Sequence, residues 1–188
     1  MSPHQESATQ RLLQLSFDVL DQALVLVAWH ELTAAPAYAQ PVGAHLRHLI
    51  EHYEALVWPS EAGVVDYDRR PRDRELERRP AVARARLEAL QARLLQWTDA
   101  RLKAPLEVRG QGGLVGEFDF AVVSSVGREL VFVASHAIHH FALLRAHCKQ
   151  VGVPMLPEFG LAPATARHER AAQVVSPTPL LKEITCNA

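Results

Sequence analysis

A chain of 188 residues with 48% hydrophobic and 22% charged residues is long enough for one domain with a substantial core, and its composition excludes a disordered or fibrous protein. Its 20 basic and 21 acidic residues leave a net charge of -1, which excludes a global field for nucleic acid or anionic lipid. Cys148 and Cys186 lack C-x-x-C spacing and are too few for a disulfide framework, so a reducing compartment, the cytoplasm, is expected.

Residues 1–6 carry no basic and apolar leader, and the longest apolar run, residues 23–29, is far short of a spanning helix, so neither export nor a membrane is expected. From residue 6 to 32 there is no Pro or Gly, and Leu12, Leu15, Val19, Leu20, Ala23 and Val27 recur at helical spacing, predicting one long helix. Pro36 ends it. Pro41 opens a second helix to about Trp58, before Pro59 and Gly63. Residues 66–80 interleave six arginines with five acids, which reads as a solvated connector. A third helix is predicted over residues 81–102 on the stripe Leu87, Leu90, Leu94 and Leu95. Between Leu106 and Val123, short β-prone pieces separated by Gly110, Gly112 and Gly113 fit a small hairpin or an irregular loop. Ser124 and Ser125 offer an N-cap for a fourth helix running to about Val151, ending at Gly152 and Pro154.

Four helices of this length predict an all-α fold, a four-helix bundle over residues 1–153 with a long connection and a possible small hairpin before the last helix. Residues 154–188 are expected to form a tail strapped on the bundle, with a short helix near residues 162–172 and a frayed end.

Histidine is the compositional outlier. Seven of the ten fall in two stretches, His45, His48 and His52, then His136, His139, His140 and His147. His136 and His140 stand four apart, which on a helix puts both imidazoles on one face with Cβ atoms about 5–6 Å apart, suited to two ligands of one ion. His139 is rotated away from them. A third ligand must come from the upstream cluster, where periodicity leans slightly toward His45 or His52, which lie nearer the apolar arc of Leu46, Leu49, Tyr53 and Leu56 than His48 does. On spacing alone the choice stays open.

The segment Val42-Gly43-Ala44-His45-Leu46-Arg47-His48-Leu49, paired with the downstream run from Arg128 through Ser135-His136-Ala137-Ile138-His139-His140-Phe141, resembles the DinB-like family of small metal-binding bundles, which are unrelated to the DNA polymerase of that name. The resemblance covers about residues 6 to 153. It implies that His48, His136 and His140 are the ligands of a divalent ion (nickel, zinc or iron) with open positions for water. The chain departs from many relatives in carrying Phe141-Ala142 where they continue Arg-Gly-Gln. His45, His52, His139 and His147 are expected to be packed, outer-sphere or solvated, with His52 the reserve ligand.

What the resemblance implies for function is a metal-dependent enzyme acting on a small molecule, such as a thiol-dependent transferase using a low-molecular-weight thiol, or a hydrolase. The alternative is a non-catalytic stress-related or metal-responsive protein with a structural ion. Glu129, seven residues before His136, is a candidate proton acceptor, though complementing the positive end of its helix is the favoured reading. No H-E-x-x-H, G-x-S-x-G or phosphate-loop motif occurs. A homodimer is expected from surplus apolar positions on the first and third helices and from the pairing common among relatives of this shape. Nucleic acid is not expected as a partner, because the arginine-rich connector is charge-balanced and has Tyr67 as its one aromatic.

Overall fold

A computed structural model describes residues 7–33 and 38–175. Ser7 opens the first helix with a capping box: its side chain accepts from the Gln10 amide at 3.1 Å, and the Gln10 side chain accepts from the Ser7 amide at 2.7 Å. Helix α1 then runs Ala8–Leu32. A kinked turn, Ala39–Gly43, leads into α2, Ala44–Val57. Strand β1 (Val64–Asp66) and the one-turn helix α3 (Arg74–Arg78) precede α4 (Pro80–Leu94). The short α5 (Asp99–Lys103) leads to strands β2 (Pro105–Gly112) and β3 (Phe118–Ser125). Helix α6 spans Val126–Val151 and α7 spans Pro163–Val175.

The long helices pack in a closed ring of contacts: α1 lies against α4 and α6, and α2 against the same two. Leu20, Leu26, Leu46, Tyr53, Leu90 and Phe141 are fully buried between them. By length and composition α1 is apolar enough to cross a membrane, with a mean hydropathy of 1.4 over one 18-residue window, more than the run 23–29 suggests. Its Val19, Leu20, Ala23, Leu26 and Val27 are buried in the core.

The all-α four-helix bundle expected from periodicity is corrected by the sheet. Among the described residues there are seven α-helices and one three-stranded mixed sheet, ordered β1-β2-β3. β1 pairs parallel with β2, Val65 opposite Val108, and β2 pairs antiparallel with β3 from Pro105 opposite Ser125 to Gly112 opposite Phe118. Three residues are too few for an alternating pattern, so β1 leaves no period-2 signal, and its partner strand is far away in sequence, Val65 pairing with Val108. The connector is not simply solvated either: Leu76 of α3 is fully buried. The third helix also ends early. Trp97 is buried and the Thr98 side chain accepts from the Arg101 amide, restarting the chain as α5, while Leu95 is exposed.

The sheet sets the start of α6. β3 runs directly into it, and Ser125 is both the last strand residue and the cap accepting from the Arg128 amide. At the other end Gly152, with φ of 80°, closes the helix in the left-handed region. The following segment folds back on α6: Phe159 stacks on Phe141 at 5.0 Å, and Arg145 donates to the carbonyls of Phe159 and Pro157 at 2.8 and 3.2 Å. The expected frayed end lies outside the described residues.

Gly43, just before α2, packs tightly against α3, since a Cβ there would lie 2.0 Å from the Glu77 carbonyl oxygen and 3.0 Å from the Tyr38 ring. Gly43→Ala should lower stability by about 1–3 kcal/mol, the usual cost of overpacking. An unchanged urea midpoint would contradict this reading of the junction.

Candidate functional site

Helix α2 carries His45, His48 and His52, and α6, packed against it, carries His136 and His140. One nitrogen each from His48, His136 and His140 lie within 4.8 Å of one another. Nε2 of His136 is 2.9 Å from Nε2 of His48 and 3.2 Å from Nε2 of His140. An ion held at roughly 2.0–2.1 Å by each donor would space neighbouring nitrogens about 2.9 Å apart at right angles and about 3.4 Å apart in a tetrahedron. Two of the three edges fall in that range and all three nitrogens lie within 4.8 Å of one another, so these residues could hold a divalent ion.

Burial is the main cause lowering the pKa of these imidazoles; neighbouring positive charges add to it, and in His52 the hydrogen bond to the His48 carbonyl opposes it. His48 is pulled down to about 3, with His52 and Arg70 adding to the effect of burial. His52 and His140 are each lowered to about 4, and His45 and His136 are lowered as well. All five are therefore neutral at pH 7, the form that offers a lone pair.

The remaining histidines take other places. His45 Nδ1 is 2.7 Å from Nδ1 of His140, an outer contact able to hold the His140 proton on the side away from the cluster. His52 Nδ1 donates to the His48 carbonyl at 2.7 Å, and its ring stacks on Tyr67 at 5.5 Å. His139 is exposed, and His147 is half-buried further along the helix.

Several residues around the cluster escape sequence reasoning. Arg70, inside the charge-balanced connector, turns inward: its Nη1 lies 2.9 Å from His48 Nδ1 and 3.8 Å from Glu51 Oε2, and its Nε donates to the Tyr67 carbonyl. Phe132 stacks on His136 at 5.8 Å, at the i−4 position where a helical reading of α6 could have placed it. Glu129 is buried and accepts from Tyr67 at 3.0 Å, Ser124 at 2.6 Å and Arg128 at 2.7 Å. Its oxygens are committed to tying β3, α6 and the segment after β1 together, so it is not a free proton acceptor.

No family model matches the chain, and no solved structure matches it. A protein of Rhizopus delemar named FK506-binding protein 5 is 32% identical over 118 residues, 62% of this chain and 31% of that protein. The chain thus spans about a third of the length of the relative it matches.

This match corrects the functional expectation. The DinB-like metalloenzyme, whether thiol-dependent transferase or hydrolase, and its alternative, a stress-related or metal-responsive protein, give way to a likeness with a protein named for FK506 binding. The DinB-like resemblance is carried by the segments 42–49 and 128–141, and the likeness to FK506-binding protein 5 extends over 118 aligned residues. What stands apart from any family is the donor geometry itself.

The lowered pKa values set a sign for stability against pH. Unfolded histidines take up protons near 6.5, while folded His48, His52 and His140 resist until about 3 to 4. The unfolded chain therefore binds more protons in that window, and stability is full above pH 6.5 and lost as pH falls toward 4. Urea midpoints of metal-free protein should drop between pH 7.5 and 5, by less in His48→Gln. A flat profile would contradict the burial of neutral imidazoles.

Proposed function

We propose that this domain holds one divalent ion, nickel, zinc or iron, on His48, His136 and His140, and presents it to a small-molecule ligand. The observation that carries this is the convergence of three neutral imidazole nitrogens from two packed helices, with edges of 2.9 and 3.2 Å. Three neutral donors would leave such an ion its full charge and an open coordination position. The chain's own residues supply orientation. His45 backs His140, Phe132 covers His136, and Tyr67 covers His52.

Elemental analysis of protein purified without an affinity tag should find about one ion per chain, most of it lost in His136→Ala and in His140→Ala. Full occupancy in the double variant would sink the proposal. Competition with a chromophoric chelator at neutral pH should rank the upstream histidines. His48→Ala removes a ligand, whereas His52→Ala removes an outer contact and costs roughly 10–100-fold in affinity. The reverse ranking would make His52 the ligand.

A second reading takes its ground from the relative's name, FK506-binding protein 5: we propose that this chain, like that protein, binds FK506. Calorimetric titration of this chain with FK506 tests it. Saturable heat retained in the His136→Ala and His140→Ala variants would support FK506 binding away from the histidines, and absence of heat removes this reading.

A further inference from the structure

We infer that Arg70 competes with the ion for His48, and that the buried carboxylate of Glu51 is the seat to which Arg70 withdraws when the ion binds; this rests on the ion-binding reading above. The starting point is a donor count. A guanidinium carries five N–H donors, no acceptor, and stays protonated. Its Nη1, 2.9 Å from His48 Nδ1, must donate, so Nδ1 presents its lone pair and the single proton of neutral His48 sits on Nε2. That nitrogen is the one facing His136 at 2.9 Å, to which it donates.

To act as a ligand through Nε2, His48 has to carry its proton on Nδ1 instead. That proton would then point at Arg70 Nη1, donor against donor. An acceptor is waiting nearby. Glu51 is 1% exposed, and its Oε2 has no hydrogen-bond partner among the described residues. The same Arg70 Nη1 lies 3.8 Å from it, too long for a hydrogen bond but closed by a shift of about 1 Å. The other oxygen of Glu51 is fixed by the Asp73 amide at 2.6 Å, and Arg70 Nε is held by the Tyr67 carbonyl, so the carboxylate stays in place while the end of the guanidinium pivots. The proton balance is closed: His48 exchanges Nε2–H for Nδ1–H, and no net proton is released.

Two substitutions then act with opposite signs, which a merely structural role would not produce. Arg70→Met removes the competitor and should tighten zinc binding roughly tenfold, within the range typical of outer-sphere changes. Glu51→Gln removes the charge that receives the guanidinium and should weaken it. Zinc affinity is read by chelator competition, and nitrogen-15 spectra of histidine-labelled parent protein read the tautomer directly. The spectra should show Nε2–H on His48 without zinc and Nδ1–H with zinc, and a pH-indicator dye should register no proton release from that residue. Unchanged or weaker zinc binding in folded Arg70→Met overturns the inference. So does a zinc-loaded His48 with neither nitrogen protonated and one proton released, because Arg70 would then have stayed where it is. Should Arg70→Met fail to fold, the parent spectra still decide. A parent that binds no zinc, nickel or iron at all defeats the ion reading itself, an outcome distinct from these.

Discussion

The seam between α2 and α6 depends on imidazoles remaining uncharged. The rings of His48, His136 and His140 lie with centroids 4.6 to 5.0 Å apart, and His52 approaches His48 at 4.2 Å and His136 at 4.5 Å. Protonating them would stack like charges at these separations in a half-buried place where water screens poorly. Neutral rings instead pack as flat, weakly polar groups and let the two helices close. The requirement that makes the seam stable is the one that leaves lone pairs available at its centre.

Two buried carboxylates frame this seam and behave differently. Glu129 is saturated, with donors from Tyr67, Ser124 and Arg128, and it locks the start of α6 to β3 and to the residue that follows β1. Burial and the charge of Glu129 push the Tyr67 hydroxyl well above its ordinary pKa, so it remains a donor. Glu51 is satisfied on one oxygen only. One flank of the cluster is therefore fixed and the other retains a choice of partner, and the choice falls on Arg70, in the connector between β1 and α3. The sheet that overturns the all-α description is what places both flanks: β1 delivers Tyr67 and Arg70, and β3 delivers α6.

How much of this was legible in the sequence follows from how local each signal is. The pairing of His136 with His140 is set by helix geometry within one turn, and four-residue spacing reads it directly. The upstream partner is not local. Apolar periodicity finds the most buried histidine, and it pointed to His52, which is 6% exposed, as well as to His45. The nitrogen that meets His136 belongs to half-buried His48, because a donor must face a gap at the helix edge and not the core. Arg70 and Leu76 were hidden by composition: a mixed-sign run looks solvated, yet Leu76 is fully buried and Arg70 turns toward Glu51. The long third helix failed at Thr98, a capping residue whose signal was outweighed by the leucine stripe that ends at exposed Leu95.

The hydrogen-bond order through the cluster has a direction that none of its members would have alone. Arg70 can only donate, so His48 passes a proton toward His136 Nε2, which must accept and therefore keeps its own proton on Nδ1. His140 Nε2, 3.2 Å from that same acceptor, avoids opposing lone pairs by donating as well, which leaves its Nδ1 to accept from His45. An ion at the centre asks for the opposite order, with lone pairs inward on all three Nε2 atoms and protons outward on Nδ1. His136 already has that tautomer, while His48 and His140 must both reverse, the first against Arg70 and the second by donating from Nδ1 to His45, whose own proton then sits on its other nitrogen. The two reversals differ in difficulty, because an imidazole can turn from donor to acceptor and a guanidinium cannot. The cost of filling the centre is therefore concentrated on the His48 side, which is the flank where Glu51 keeps one oxygen free.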